Sequence, residues 1–175
     1  MSGDTAAFVE LVKRYDRVLR ALAYRLLGER ELMDDVMQEA SVKAFRAYPE
    51  FRGESQVHTW LYRIVYNACL DQLRQEKRRR AVGEMDPGDV VKGGAEATVG
   101  GDPAELVGAR QDLASALASL PADHCAAVLL VDAIGLTHGE AAEVLGVRAG
   151  TTGSRLFHAR AALRRALGEG RDHGE

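Results

Sequence analysis

Apolar residues recur along most of the chain with the spacing of helices, and nowhere do they alternate as in a strand over more than a few positions. Phe8, Leu11, Val12, Tyr15, Val18, Leu19, Leu22 and Leu26 follow the i, i+3, i+4, i+7 rule and predict a first helix. Leu32, Val36, Ala40 and Ala44 predict a second that stops near Pro49. Val57, Trp60, Leu61, Ile64, Val65, Ala68 and Leu73 predict a third from about Gln56 to Arg80, fed by the loop Phe51-Arg52-Gly53-Glu54-Ser55. Leu106, Leu113, Leu117 and Leu120 mark another helix that Pro121 ends, and a short apolar helix to about Ile134 follows. Thr137 with Glu140 three residues on forms a capping-box arrangement for the next, Gly146 closes it, and Gly150 or Thr151 opens the last. Between the two sets, residues 82–101 hold six of the 18 glycines, Pro87 and four acids without sustained periodicity, the composition of a flexible linker. The expected fold is all-α: two small helical domains, 1–81 and 102–175, joined by that linker. A domain of roughly 70 residues is marginally stable alone, so each half is expected to be steadied by a partner.

Composition narrows the function classes. The longest apolar run, Cys125 to Val131, is far short of the roughly 20 residues a membrane span needs, and the first residues lack a basic stretch followed by an apolar core, so neither membrane insertion nor secretion is expected. Cys69 and Cys125 lie far apart in apolar segments and give neither a disulfide framework nor a metal-ligand spacing, which fits a reducing cytoplasm. The net charge of −3 hides a segregation. Arg148 to Arg165 contains five arginines and no acid, and Arg63 to Arg80 contains six basic residues against Asp71 and Glu76. Two basic stripes in a mildly acidic chain are the pattern of directed polyanion contact.

Thr137 to Arg155 has the spacing of a helix-turn-helix, with Ala142 where only a small side chain lets two helices cross and Gly146 in the turn. At 100° per residue Thr152, Leu156, Ala159, Leu163 and Leu167 share one side of the last helix, which puts Ser154, Phe157, His158, Ala161 and Arg165 on the other, flanked by Arg155, Arg160 and Arg164. Such a helix suits a major groove, with arginines on phosphates and the central residues on base edges; a solvated basic helix with a stray Phe is the plain alternative. On the third helix Trp60, Tyr62 and Tyr66, with Phe51 before it, are interleaved with Arg52, Arg63, Asn67, Arg74 and the run Lys77 to Arg80. Aromatics beside cations suit unstacked bases, although the spacing of Trp60 with Leu61 and Ile64 is also that of a core residue. Asp34, Asp35, Gln38 and Glu39 have no histidine, cysteine or glycine-rich phosphate loop beside them, and neither catalysis, a metal nor a cofactor is expected. Asp35, Gln38, Glu39 and Val42 share a helix face and make a polar docking strip.

The same residues carry a resemblance over nearly the whole chain. The words Asp35-Val-Met-Gln-Glu39, Phe51-Arg-Gly53, Thr59-Trp-Leu61, Asn67-Ala-Cys-Leu-Asp71 followed by Arg74, Leu120-Pro121 and Gly150-Thr-Thr-Gly-Ser-Arg155 resemble those of an extracytoplasmic function (ECF) sigma factor, the RNA polymerase subunit reduced to its regions 2 and 4. Trp60 to Arg74 is especially similar to the SigM-like group. The resemblance implies promoter-specific initiation on core RNA polymerase. Asp35, Gln38 and Glu39 match the strip that docks on the coiled coil of the large polymerase subunit, and region 4 would meet the polymerase flap. The loop Phe51 to Val57, with Asn67, matches the element that captures a flipped base of the −10 element, and Phe51, Arg52, Gly53, Glu54, Ser55, Trp60, Arg63, Asn67 and Arg74 are the −10 DNA-binding residues this implies. Arg148, Thr151, Ser154, Arg155, Phe157, His158, Arg160, Arg164 and Arg165 match the reader of the −35 element, and an anti-sigma factor is an implied partner. The chain departs from the family at Thr152, a hydroxyl where an apolar residue is usual, at Gly153, where a cation is usual, and at His158. The competing expectation is a regulator whose helix-turn-helix reads an operator while the first 80 residues bind a ligand or oligomerise.

Overall fold

A computed structural model describes residues 2–82 and 103–169; the expected linker, residues 82–101, lies almost wholly outside the described residues. Every regular element among the described residues is helical. α1 (Ser2–Leu27) and α2 (Arg30–Ala47) form an antiparallel pair, a 3₁₀ turn (Tyr48–Glu50) leads into the loop, and α3 (Val57–Val82) crosses both. α4 (Pro103–Ala118) and α5 (Ala122–Val128) follow, α5 running into a π-helical turn over Leu129–Ala133; α6 (His138–Leu145) and α7 (Ala149–Glu169) complete the chain. The apolar stripes read from the sequence are the buried ones: Leu19 and Leu22 of α1, Val36 and Ala40 of α2, and Leu61 and Val65 of α3 are at most 3% exposed.

The turn of the expected helix-turn-helix is built as its residues dictate. Thr137 Oγ1 accepts from the Glu140 backbone N–H at 3.2 Å while a Glu140 carboxylate oxygen accepts from the Thr137 N–H at 2.8 Å, closing the capping box. Gly146 ends α6 at φ 65°, a conformation a side chain would strain, and the Val147 N–H donates to the Ala142 carbonyl at 3.0 Å. Across the turn Thr152, Leu156 and Ala159 of α7 are buried at 0 to 1% exposure, as the wheel requires. Thr152 Oγ1 and Thr59 Oγ1 are enclosed without a hydrogen-bond partner.

The two halves are not steadied apart. α6 packs on α3, and α4 and α5 touch α1, so one hydrophobic core runs from Leu22, Val36 and Val65 through Cys69 to Leu130, Val144 and Leu156. His58 of α3 faces Glu140 of α6, Nε2 to Oε1 at 3.5 Å, with Tyr15 and Tyr62 around the imidazole. Each small domain thus gains apolar cover from the other, which answers the surface-to-volume shortfall of a roughly 70-residue unit.

Candidate nucleic-acid and polymerase interfaces

Asp35, Gln38 and Glu39 are all exposed on α2, and Val42 extends the strip at 44% exposure. Glu39 holds Lys43 at 2.6 Å, while the neighbouring Asp34 is taken by Arg20, also at 2.6 Å. The strip is a flat polar ridge, and among the described residues no group of three His, Cys, Asp or Glu side chains converges as a metal site. Burial pushes the thiols of Cys69 and Cys125 up to about 12 and about 11, so neither is a nucleophile or ready ligand at neutral pH.

The loop after α2 forms a hollow of about 340 Å³. The half-buried Phe51, with the buried Trp60 ring 5.1 Å behind it, lines it together with Arg52, Glu54, Ser55 and Arg63. Gly53 sits at φ 72° and lets the loop double back. Arg63, Asn67 and Arg74 are exposed within a 40° arc of α3, Arg74 holding Asp71 at 3.2 Å. Trp60 takes the core place that its spacing also allowed, while Tyr62 and Tyr66 differ from the expectation. Trp60 is 8% exposed, Tyr62 4% and Tyr66 2%, so none offers an open face for stacking. Tyr62 and Tyr66 point more than 90° round the helix from Asn67, and Tyr66 lies in the field of Arg155 and Asp123 from the second half. The aromatic–cation alternation therefore marks two faces of one helix, an outer cationic one and an inner one that carries α6.

On α7 Ser154, Phe157, His158 and Arg165 are exposed, Phe157 at 66%. His158 lies parallel to His124 of α5, 6.4 Å between centroids, and Phe157 meets it edge-on at 5.5 Å. Arg148, Thr151 and Arg164 are exposed around them. Two of the expected phosphate contacts are engaged within the protein. Arg155, 21% exposed, holds Asp123 at 2.9 Å, and Arg160 forms a two-pronged pair with Asp132 whose Nε–Oδ2 distance is 3.0 Å. Arg160's hydrogen bonds hold the Asp132 carboxyl below its ordinary range. These arginines fasten α7 to α5 and the π-helical turn through Asp123 and Asp132, neither singled out in the sequence, which orient the exposed face of α7.

Comparison with known proteins decides the family. The Sigma-70 region 2 model matches residues 11–79 and the Sigma-70 region 4 model residues 110–163. The chain is 38% identical over 168 residues to the ECF RNA polymerase sigma factor SigM of Mycobacterium tuberculosis H37Rv, covering 96% of this chain and 81% of that one. It belongs to the ECF RNA polymerase sigma factors. The sigma factor is 35% identical over 167 residues to the Escherichia coli K12 sigma-E factor, covering 92% of itself and 86% of the relative. Its fold matches the sigma factor RpoE in complex with the anti-sigma factor NepR from Bartonella quintana with a TM-score of 0.76 at 30% identity, over 92% of this chain and 96% of that one. It matches CnrH in complex with the cytosolic domain of CnrY with a TM-score of 0.69 at 27% identity, over 96% and 92%. Since residues 11–79 match sigma region 2, the first half is not the ligand domain of an operator-binding regulator. This sigma factor is a transcription initiation factor that works with RNA polymerase and promoter DNA.

Proposed function

We propose that residues 1–81 dock on core polymerase through Asp35, Gln38 and Glu39 and hold a flipped −10 base in the hollow at Phe51, while residues 102–175 read the −35 element through Ser154, Phe157 and His158. The observation that carries this is the hollow. The half-buried Phe51 ring, the Arg52 and Arg63 side chains of its lining and its position beside Asn67 and Arg74 give one base a stacking surface and its strand cations to run along. Stacking contributes about 1–3 kcal/mol per base, enough to offset the few kcal/mol that extruding one costs. As a transcription initiation factor the protein supplies binding energy and performs no covalent chemistry. It acts where the polymerase is, in the cytoplasm; no described helix is long and apolar enough to cross a membrane.

The two structural relatives were each solved with a protein partner, an anti-sigma factor in one case, and their likeness to this arrangement over nearly the whole chain supports an anti-sigma partner here. The direct test adds the purified chain to core polymerase on a promoter the core alone ignores. Initiation from a defined start is the expected result, and failure to initiate on any promoter from the host genome would overturn the reading.

A further inference from the structure

The exposed ring of His158 does not stand free on α7. His124, half-buried in the first turn of α5, lies parallel to it, with 6.4 Å between centroids and 12° between planes, and Phe157 meets it edge-on at 5.5 Å. The stack follows from a clamp one residue earlier on α5. One carboxylate oxygen of Asp123 accepts the His124 backbone N–H at 3.1 Å, and the other holds Arg155 at 2.9 Å. Arg155 precedes His158 by three residues and so shares its side of the helix. Fastening Asp123 to Arg155 therefore brings His124 over His158. Parallel rings at this separation attract, and the contact sets the plane of an imidazole that would otherwise sample several rotamers on an open surface. The nitrogens of a ring stacked by its face lie at its edge, clear of the stack and open to a base. We propose that His124 is a positioning residue for −35 recognition, holding the His158 imidazole in the plane in which it meets a base edge. This rests on His158 being a base reader. A side chain ordered before DNA arrives loses no further freedom on binding, which is worth about 2- to 12-fold for one immobilised side chain. A fixed plane also stops His158 from turning to suit the wrong base, so the gain falls on discrimination at one base pair. Stacking needs the flat ring of His124 and not its nitrogens, whereas a phosphate contact would need a nitrogen and not the ring.

The test uses the full chain assembled with core polymerase, titrated at one salt concentration against promoter fragments that carry each single base-pair substitution in the −35 element. His158→Ala should mark its own base pair as the one where discrimination falls by about 5- to 150-fold. His124→Ala should lower discrimination at that same base pair by about 2- to 12-fold and leave the other positions as in the parent. Placed in the His158→Ala chain, it should cost nothing further. Two more variants separate stacking from direct contact. His124→Phe keeps a flat ring and should restore the parent's discrimination, while His124→Gln keeps a hydrogen-bonding group without a ring and should behave as His124→Ala. The reverse order, with glutamine like the parent and phenylalanine like alanine, would show His124 bonding the DNA itself and overturn the proposal. A loss spread evenly over the −35 positions, as a damaged fold would give, also overturns it, as does a loss that adds in full to that of His158→Ala or unchanged discrimination in His124→Ala. If His158→Ala itself shifts no base pair, the −35 reading of His158 has failed, and the positioning role falls with it.

Discussion

Thr152 is fully enclosed, at 0% exposure, and its Oγ1 has no partner. A helical threonine ordinarily returns its hydroxyl to the carbonyl four residues back. Here that carbonyl, Arg148 O, already accepts the backbone N–H groups of Thr151 and Thr152 at 2.9 and 3.2 Å, and the hydroxyl is left over. Thr152→Val keeps the β-branched shape and the helix propensity while replacing the hydroxyl by a methyl. Burying an unpartnered hydroxyl costs about 1–3 kcal/mol in proteins, so the valine should raise stability by about 1–2 kcal/mol. For a chain of this size that is a rise in Tm of about 3–6 °C. Urea unfolding followed by circular dichroism should show a higher midpoint with an unchanged slope, because the surface exposed on unfolding is the same. Thr152→Ser supplies the counter-measurement: it keeps the hydroxyl, deletes the methyl and should lose about 1 kcal/mol. A valine variant no more stable than the parent, or a serine variant as stable as the valine, would show that the hydroxyl is satisfied and the reasoning wrong.

The remaining predictions bear on the interfaces. If the exposed Asp35–Glu39 strip is the proposed docking surface, Asp35→Arg with Glu39→Arg should abolish core polymerase binding in a pull-down while leaving helicity intact, since reversed charge at such a contact costs several kcal/mol. Asn67→Ala should impair strand opening more than duplex binding, seen as reduced permanganate reactivity of −10 thymines at matched occupancy. Gly153→Arg should tighten −35 binding and steepen its salt dependence by up to about one phosphate, because a side chain there meets nothing within 4 Å and replaces a poor helix former; His158→Ala should instead change preference at one base pair by about 1–3 kcal/mol in titrations against a duplex panel. The Asp132 carboxyl is depressed in the folded chain, so its stabilising pair with Arg160 is present at neutral pH and is lost as pH falls below the ordinary carboxylate range through the folded value. Asp132→Asn should flatten the urea midpoint between pH 5 and 2, and an unchanged profile would assign acid sensitivity elsewhere.

What the chain discloses of itself follows the range of the forces involved. The Thr137–Glu140 cap, the Gly146 turn and the inward stripe of α7 are local, set by residues within one or two turns, and the sequence pattern is enough to find them. The pairs Arg155–Asp123 and Arg160–Asp132 join residues about 30 positions apart, and an arginine bound by an acid reads in sequence the same as one free for phosphate. Tyr62 and Tyr66 mislead for a related reason. An aromatic covered by another domain and one open to a base occupy the same kind of position on a helix, and only the arrival of α6 distinguishes them.

The seating of α6 on α3 carries a consequence for reach. Promoter elements centred near positions −35 and −10 lie about 25 base pairs apart, or roughly 85 Å along B-form DNA at 3.4 Å per base pair. A compact chain of 175 residues has a radius of gyration of only about 16 Å. With its two halves in contact, the molecule is too short to hold both elements at once. The 20 residues from 83 to 102 extend to at most about 70 Å, which with the domains themselves covers the distance only once the halves have parted. The contact through His58 and Glu140 is therefore in direct competition with promoter spanning. If one chain in a hundred is parted at rest, affinity for the spaced pair of elements is a hundredfold below the sum of its parts, and any surface that holds the halves at the right separation recovers that factor without touching DNA.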